Sequence, residues 1–197
     1  MRITEHNYLS FLEQYNYDLY LHSIRVSRIS KIIGNQFLLM FNDKINMTDL
    51  EQAALFHDFG KLFIPDEILN KPSSLSDNEY KIIKHHSRIG ATYFYDAISK
   101  NDYVYKGILE HHEREDGSGY PNRLTSDKIS IQGKIIAVCD VYDSLVSSRC
   151  YKGSWSYDRV KGYFINNTKL FDKRIVNVLF LPETQKKIDE TIYLDLI

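Results

Sequence analysis

The sequence predicts an all-α protein, a single helical bundle, on three observations: apolar residues recur at helical spacing, strand-like alternation is nearly absent, and turn-forming clusters cut the pattern into helix-length pieces. Leu19, Ile24, Ile29, Ile32, Ile33 and Phe37 mark one long helix, because residues three and four apart share a helix face. Thr48 with Glu51, then Ser76 with Glu79, read as capping boxes that open two more. Ile131, Ile135, Val138, Val141 and Leu145 outline a later amphipathic helix, and Ser156 and Asp172 read as simpler N-caps. Breaks are expected at Gly60, at Pro65, across Lys71-Pro72-Ser73-Ser74 and across Asp116 to Pro121, all rich in turn formers. None is long enough for a linker, so residues 1–197 are expected to form one domain, its core at roughly 19–178, with no room for a regulatory domain. The tail from Ile192 to Ile197 alternates weakly and reads as strand or as frayed helix.

Composition excludes several function classes. At 43% hydrophobic and 26% charged residues the chain is globular rather than disordered. Lys and Arg total 25 against 26 Asp and Glu, so there is no bulk basic field for DNA, RNA or an anionic membrane. An anionic substrate must be met by local charges. Cys139 and Cys150 form no Cys-x-x-Cys pair and read as thiols of a reducing compartment. The longest charge-free apolar-rich run, Ile32 to Asn42, falls well short of the ~18 residues of a membrane span. A soluble, cytoplasmic protein is expected.

Seven histidines are present, and five of them look like a set. His57-Asp58 ends the helix opened by Thr48, just before Gly60-Lys61. Neighbouring helical side chains diverge by ~100°, so such a pair converges on one ion only near a helix end. Asp58 has two oxygens and could bridge two ions while His57 holds one of them. His111-His112 repeats the adjacent pair before a glycine-rich break, and neutral imidazoles there suit Fe, Mn or Zn. His22 lies one turn after Asp18, while His85, with Ile82 and Ile89, and Asp140, with Ile136 and Ser144, are placed on core-facing sides of their helices. A lone polar residue on such a face is more often a hydrogen-bonded core residue than a ligand, and His6 and His86 are read that way. The order His22, His57-Asp58, His85, His111-His112, Asp140, each on its own helix, is what a bundle core could gather around metal.

The segments Ala54-Leu55-Phe56-His57-Asp58-Phe59-Gly60-Lys61, His111-His112-Glu113-Arg114-Glu115-Asp116-Gly117-Ser118-Gly119-Tyr120-Pro121 and Ile136-Ala137-Val138-Cys139-Asp140-Val141-Tyr142-Asp143-Ser144-Leu145 resemble the HD-GYP family, a branch of the HD-domain metal-dependent phosphohydrolases. The resemblance runs from about Leu19 to Val178. It implies hydrolysis of cyclic di-GMP to the linear dinucleotide, and on to GMP if a second cut is allowed. It also implies two or three divalent ions, Fe or Mn, held by His22, His57, Asp58, His85, His111, His112 and Asp140, with Asp58 bridging and Asp18 the candidate for a third ion. Lys61, three residues after Asp58, has the reach to bring an ammonium to a metal-held phosphate. Arg149 and Lys152 would align at i, i+3 as an anion clamp, and the resemblance gives these two a phosphate-binding role. Glu113, Arg114 and Tyr120 are assigned support, and the Gly117 to Pro121 loop a part in the substrate pocket or in a contact with a partner protein. Another cyclic or guanosine nucleotide as substrate, or a non-catalytic signalling adaptor, are the alternatives. His86 stands where the family usually has Pro after the ligand His85, and Cys150 and Lys173 likewise replace Pro.

Overall fold

The computed structural model describes residues 5–97, 100–147 and 155–193. Eleven α-helices are named among them: α1 (Glu5–Tyr15), α2 (Tyr17–Phe41), α3 (Met47–Phe56), α4 (Asp66–Leu69), α5 (Asp77–Lys84), α6 (His86–Ala97), α7 (Asp102–Glu110), α8 (Ile131–Val146), α9 (Tyr157–Asn166), α10 (Lys173–Leu179) and α11 (Pro182–Tyr193). Short 3-10 turns occupy Phe59–Phe63 and Ser126–Lys128. Among the described residues the only β pairing is an isolated bridge between Asp116 and Thr125. The all-α expectation therefore holds, and no helix among these residues is long and apolar enough to cross a membrane.

The core forms where the expected stripes meet. On α2, Ile29, Ile33 and Phe37 are fully buried, and on α8 so are Ile135 and Val138, while Ile24, Ile32, Ile131, Val141 and Leu145 pack at its edge. α2 lies against α3 and α8, and α7 sits between α3, α6 and α8. Each aliphatic side chain withdrawn from water there contributes about 1.5–3 kcal/mol. Aromatic stacking ties in the first helix: the Phe56 ring lies 4.6 Å from Tyr8 and 4.9 Å from Phe94. The four helices α2, α3, α7 and α8, with the start of α6, surround the histidine cluster.

Local signals set most helix starts. At Ser76 the expected capping box is present: its N–H donates to Glu79 Oε2 at 2.7 Å, and the Glu79 N–H donates back to Ser76 Oγ at 3.4 Å. Asp172 caps α10 by accepting from the Arg174 N–H at 2.9 Å. Ser156 stands at the N-cap position of α9 without a side-chain cap bond. The expected box at Thr48 and Glu51 does not open α3. Asn46 takes that role, accepting from the Asp49 N–H at 3.2 Å, so Thr48 already lies inside the first turn. Glu51 instead pairs with Lys31 of α2 at 2.9 Å. Cys139 is buried and unpaired, and burial pushes its thiol up to about 12.

Candidate metal centre

Three of the histidines owe their aim to helix ends. His57 is the C-cap of α3, His111 is the C-cap of α7, and His86 opens α6. Each donates its Nδ1–H to the carbonyl three residues back: His57 to Ala54 at 2.7 Å, His86 to Ile83 at 2.7 Å, His111 to Ile108 at 2.6 Å. A carbonyl only accepts, so the proton sits on Nδ1 and the Nε2 lone pair is left for the interior. His22, in the middle of α2, is set differently. Its Nδ1–H donates to Asp143 Oδ2 at 2.7 Å, and Arg25 clamps the same carboxylate through Nε at 2.6 Å and Nη2 at 3.0 Å.

Asp58, immediately after α3, faces two ways. Its Oδ2 lies 3.4 Å from His57 Nε2, 3.6 Å from His22 Nε2 and 2.5 Å from Lys61 Nζ. Its Oδ1 lies 3.3 Å from His86 Nε2 and 4.0 Å from His111 Nε2. Asp140 of α8 closes the first side, its Oδ1 3.1 Å from His22 Nε2, and its Oδ2 reaches toward His112 Nδ1 at 4.0 Å. Two groups result, Asp58 with His86, His111 and His112, and His22 with His57 and Asp140, the ligand atoms of each lying within 4.8 Å of one another. Metal fits both. His22 Nε2, His57 Nε2 and Asp58 Oδ1 are buried without a hydrogen bond, a costly state for polar atoms unless a cation completes them. Mixed imidazole and carboxylate donors suit divalent first-row transition ions.

The charges suit the same use. Burial alone would raise the Asp58 and Asp140 carboxyls, but Lys61 and His57 beside Asp58, and His22 beside Asp140, hold both well below the usual carboxylate range. Burial pushes His111 and His112 well below the ordinary imidazole value, helped by His57 and His86 around His111 and by His111 beside His112. They are neutral, the form that ligates. At His22 burial opposes the charge, yet the carboxylates of Asp140 and Asp143 beside it lift it to about 9. An ion entering there displaces a proton.

The site opens on one side. His57 and His111 side chains are sealed, whereas those of His112, Asp140 and Lys61 are 18%, 12% and 21% exposed. The loop after His112 is built back over this mouth. Glu113 accepts from the N–H groups of Asn122 at 2.6 Å and Leu124 at 2.9 Å, and Arg114 donates to the carbonyls of His111 and Glu113. Gly119 passes so close to the chain that a Cβ there would stand 2.4 Å from Arg114 N and 2.5 Å from His112 O. The support expected of Glu113 and Arg114 is this folding of the loop, and Tyr120 at its end stacks on the His112 ring at 4.6 Å.

The structure thus gathers His22, His57, Asp58, His111, His112 and Asp140, as the sequence suggested, with Lys61 on Asp58. It corrects the choice between the adjacent histidines. His85 is exposed and belongs to neither group, whereas His86, read from sequence as a core histidine, stands in the cluster. The helical pattern is interrupted at His85, between α5 and α6, so a register drawn from Ile82 to Ile89 does not hold across it, and Ile82 is itself 38% exposed. Asp18 is exposed and lies outside both groups. Arg149, Lys152 and Cys150 lie outside the described residues. Asp143 and Arg25, which fix His22, were not singled out from sequence, although each sits three residues after a cluster member on the same helix.

Gly60 keeps His86 in place. A Cβ at Gly60 would fall 1.9 Å from the His86 carbonyl oxygen and 2.8 Å from Gly90 N, both backbone atoms. Gly60→Ala is expected to cost about 1–3 kcal/mol, lowering the melting temperature by about 2–4 °C per kcal/mol, and to reduce bound metal. Thermal denaturation with metal analysis checks this, and an unchanged pair of values would contradict it.

The chain is similar to the cyclic di-GMP phosphodiesterase response regulator RpfG of Xanthomonas campestris pv. campestris, 38% identical over 167 residues, covering 82% of this chain and 42% of that one. It is also similar to the 3'3'-cGAMP-specific phosphodiesterase 2 of Vibrio cholerae, 37% identical over 132 residues, covering 66% of this chain and 25% of that one. The chain spans less than half the length of either relative. Among solved structures, an HDG"Y"P protein from Bdellovibrio bacteriovorus superimposes with a TM-score of 0.66 at 21% identity, covering 89% of this chain and 60% of that one, which shows a shared fold. The family model described as HD domain matches residues 12–172, most of the chain. The chain belongs to the HD domain family.

Proposed function

We propose that the chain is a metal-dependent phosphodiesterase that hydrolyses cyclic di-GMP to the linear dinucleotide and, by a second cut, to GMP. The observation that carries this reading is Asp58, whose two oxygens face two separate histidine groups at 3.3–4.0 Å. That arrangement suits a carboxylate shared between two ions, and divalent iron or manganese bound there would neutralise phosphate charge and lower the pKa of water toward ~7. A third ion would fall to Asp18 in this reading. The rest is the work of the chain. His112, Asp140 and Lys61 border the opening, so a phosphodiester would enter beside Lys61, whose ammonium can donate to a non-bridging oxygen and keep the phosphorus in line with the incoming water. The sealed face behind His57 and His111 excludes bulk solvent. Arg149 and Lys152 are assigned the remaining phosphate contacts on their spacing.

Cyclic di-GMP is favoured by the name of the Xanthomonas relative, and a mixed cyclic GMP-AMP is the second reading, favoured by that of the Vibrio relative. A substrate panel on metal-loaded protein separates them. Faster turnover of the mixed dinucleotide would replace the first reading by the second, and intact metal groups with no turnover of any cyclic dinucleotide would favour an adaptor. Lys61→Ala is expected to keep its metal while losing about 10- to 100-fold in rate, the worth of a charge-assisted hydrogen bond. Loss of metal in that variant would mean that Lys61 serves the ligands rather than the substrate.

A further inference from the structure

The mouth of the centre continues into a feature that metal binding does not use. Tyr120 stacks on His112, ring centroids 4.6 Å apart and planes 27° apart. Beyond it the Lys84 ammonium stands 5.1 Å from the Tyr120 ring and 4.4 Å from the Tyr80 ring. Tyr80 is 48% exposed. Tyr80 and Lys84 are one turn apart on α5, so the helix holds them together. The end of α5 is also fixed to the centre, because the Ile83 carbonyl accepts the His86 Nδ1–H at 2.7 Å. An exposed aromatic face and a cation are thereby set at a constant distance from the ligands, on the side where His112 meets solvent.

A half-exposed tyrosine ring with an ammonium over one face is complementary to a purine: the ring's other face offers a stacking surface, and the ammonium, on its flexible stem, can swing to the ring edge and donate to the O6 and N7 acceptors of a guanine. We propose that Tyr80 and Lys84 form a subsite for one base of the cyclic dinucleotide, Tyr80 as the stacking face and Lys84 as the donor. This rests on the phosphodiesterase reading and adds to it where the non-reacting part of the substrate lies.

The test compares metal-loaded full-length Tyr80→Ala, Tyr80→Phe and Lys84→Met with the parent chain on cyclic di-GMP and on bis(4-nitrophenyl) phosphate, which carries no nucleobase. Tyr80→Ala should raise KM for cyclic di-GMP about tenfold, with kcat and bound metal within about twofold of the parent. Tyr80→Phe, which keeps the ring, should match the parent. Lys84→Met should raise KM in the same direction. KM for the nitrophenyl ester should stay put in all three. An unchanged KM for cyclic di-GMP in Tyr80→Ala, or an equal rise on both substrates, overturns the subsite, and an unchanged KM in Lys84→Met removes Lys84 from it. A parent chain that cleaves the nitrophenyl ester but neither binds nor cleaves cyclic di-GMP refutes the underlying reading before any variant is made, and the subsite with it.

Discussion

Asp58→Ala is expected to yield a folded helical protein that turns over cyclic di-GMP at least about 1,000-fold more slowly, since several kcal/mol of transition-state stabilisation depend on the ions. Its metal content should collapse as well. Asp58 stands between the two groups, its Oδ2 toward His22 and His57 and its Oδ1 toward His86 and His111. Its removal would take from His86, His111 and His112 the carboxylate of their group and leave His22 and His57 with Asp140 alone. The helices have little reason to fail. Asp58 follows the last turn of α3 and makes no side-chain cap bond to the 3-10 turn after it, so circular dichroism should be close to the parent. Asp58→Asn separates charge from shape: it keeps the volume, but places an NH2 donor where a second anionic oxygen is needed, and should also lose metal. Near-parent metal and rate in both variants would refute the shared-carboxylate assignment.

His86→Ala and His85→Ala form a pair whose results should diverge. His86 is buried, aims its Nε2 at Asp58 Oδ1 from 3.3 Å and lies 3.3 Å from His111 Nε2. Its loss should empty the group of Asp58, His111 and His112, reducing bound metal by about half in a two-ion centre and activity by at least about 100-fold. His85 is exposed, and its replacement should change rate and metal content by no more than about twofold, as surface substitutions do. Equal effects, or a larger loss at His85, would restore the assignment that the sequence first suggested. Metal analysis by mass spectrometry on both variants decides the matter apart from any assay.

These two adjacent histidines show where a sequence stops being legible. His57-Asp58 and His111-His112 could be placed because each adjoins a glycine signal that ends a helix, and helix ends are where neighbouring side chains converge. His22 and Asp140 followed from position on strongly periodic helices. Between α5 and α6 the chain breaks at His85 with neither glycine nor proline to announce it, and the apolar pattern on either side cannot be joined. The decisive contacts are tertiary: Gly60 against the His86 carbonyl, and His86 against His111. The clue present in the sequence was the face of α6 itself, since Gly90 and Phe94, four and eight residues after His86, are small or apolar and are buried, whereas Ile89 and Tyr93 after His85 are only half-buried.

The tether on His22 was hidden for a similar reason. Arg25 follows His22 by three residues and Asp143 follows Asp140 by three. Each pair is legible on its own helix, but that Arg25 meets Asp143 requires α2 to lie against α8. Asn46, by contrast, outcompeted Thr48 purely locally, by reaching the Asp49 N–H two residues earlier than the expected cap.

The most direct test of the central claim is metal analysis of the anaerobically purified chain, with the same sample assayed on cyclic di-GMP and the products separated by chromatography. About two equivalents of iron or manganese are expected, three if Asp18 recruits another, together with the linear dinucleotide and then GMP. A chain that binds no metal after reconstitution, or that opens the dinucleotide at full rate in the presence of a strong chelator, would contradict it.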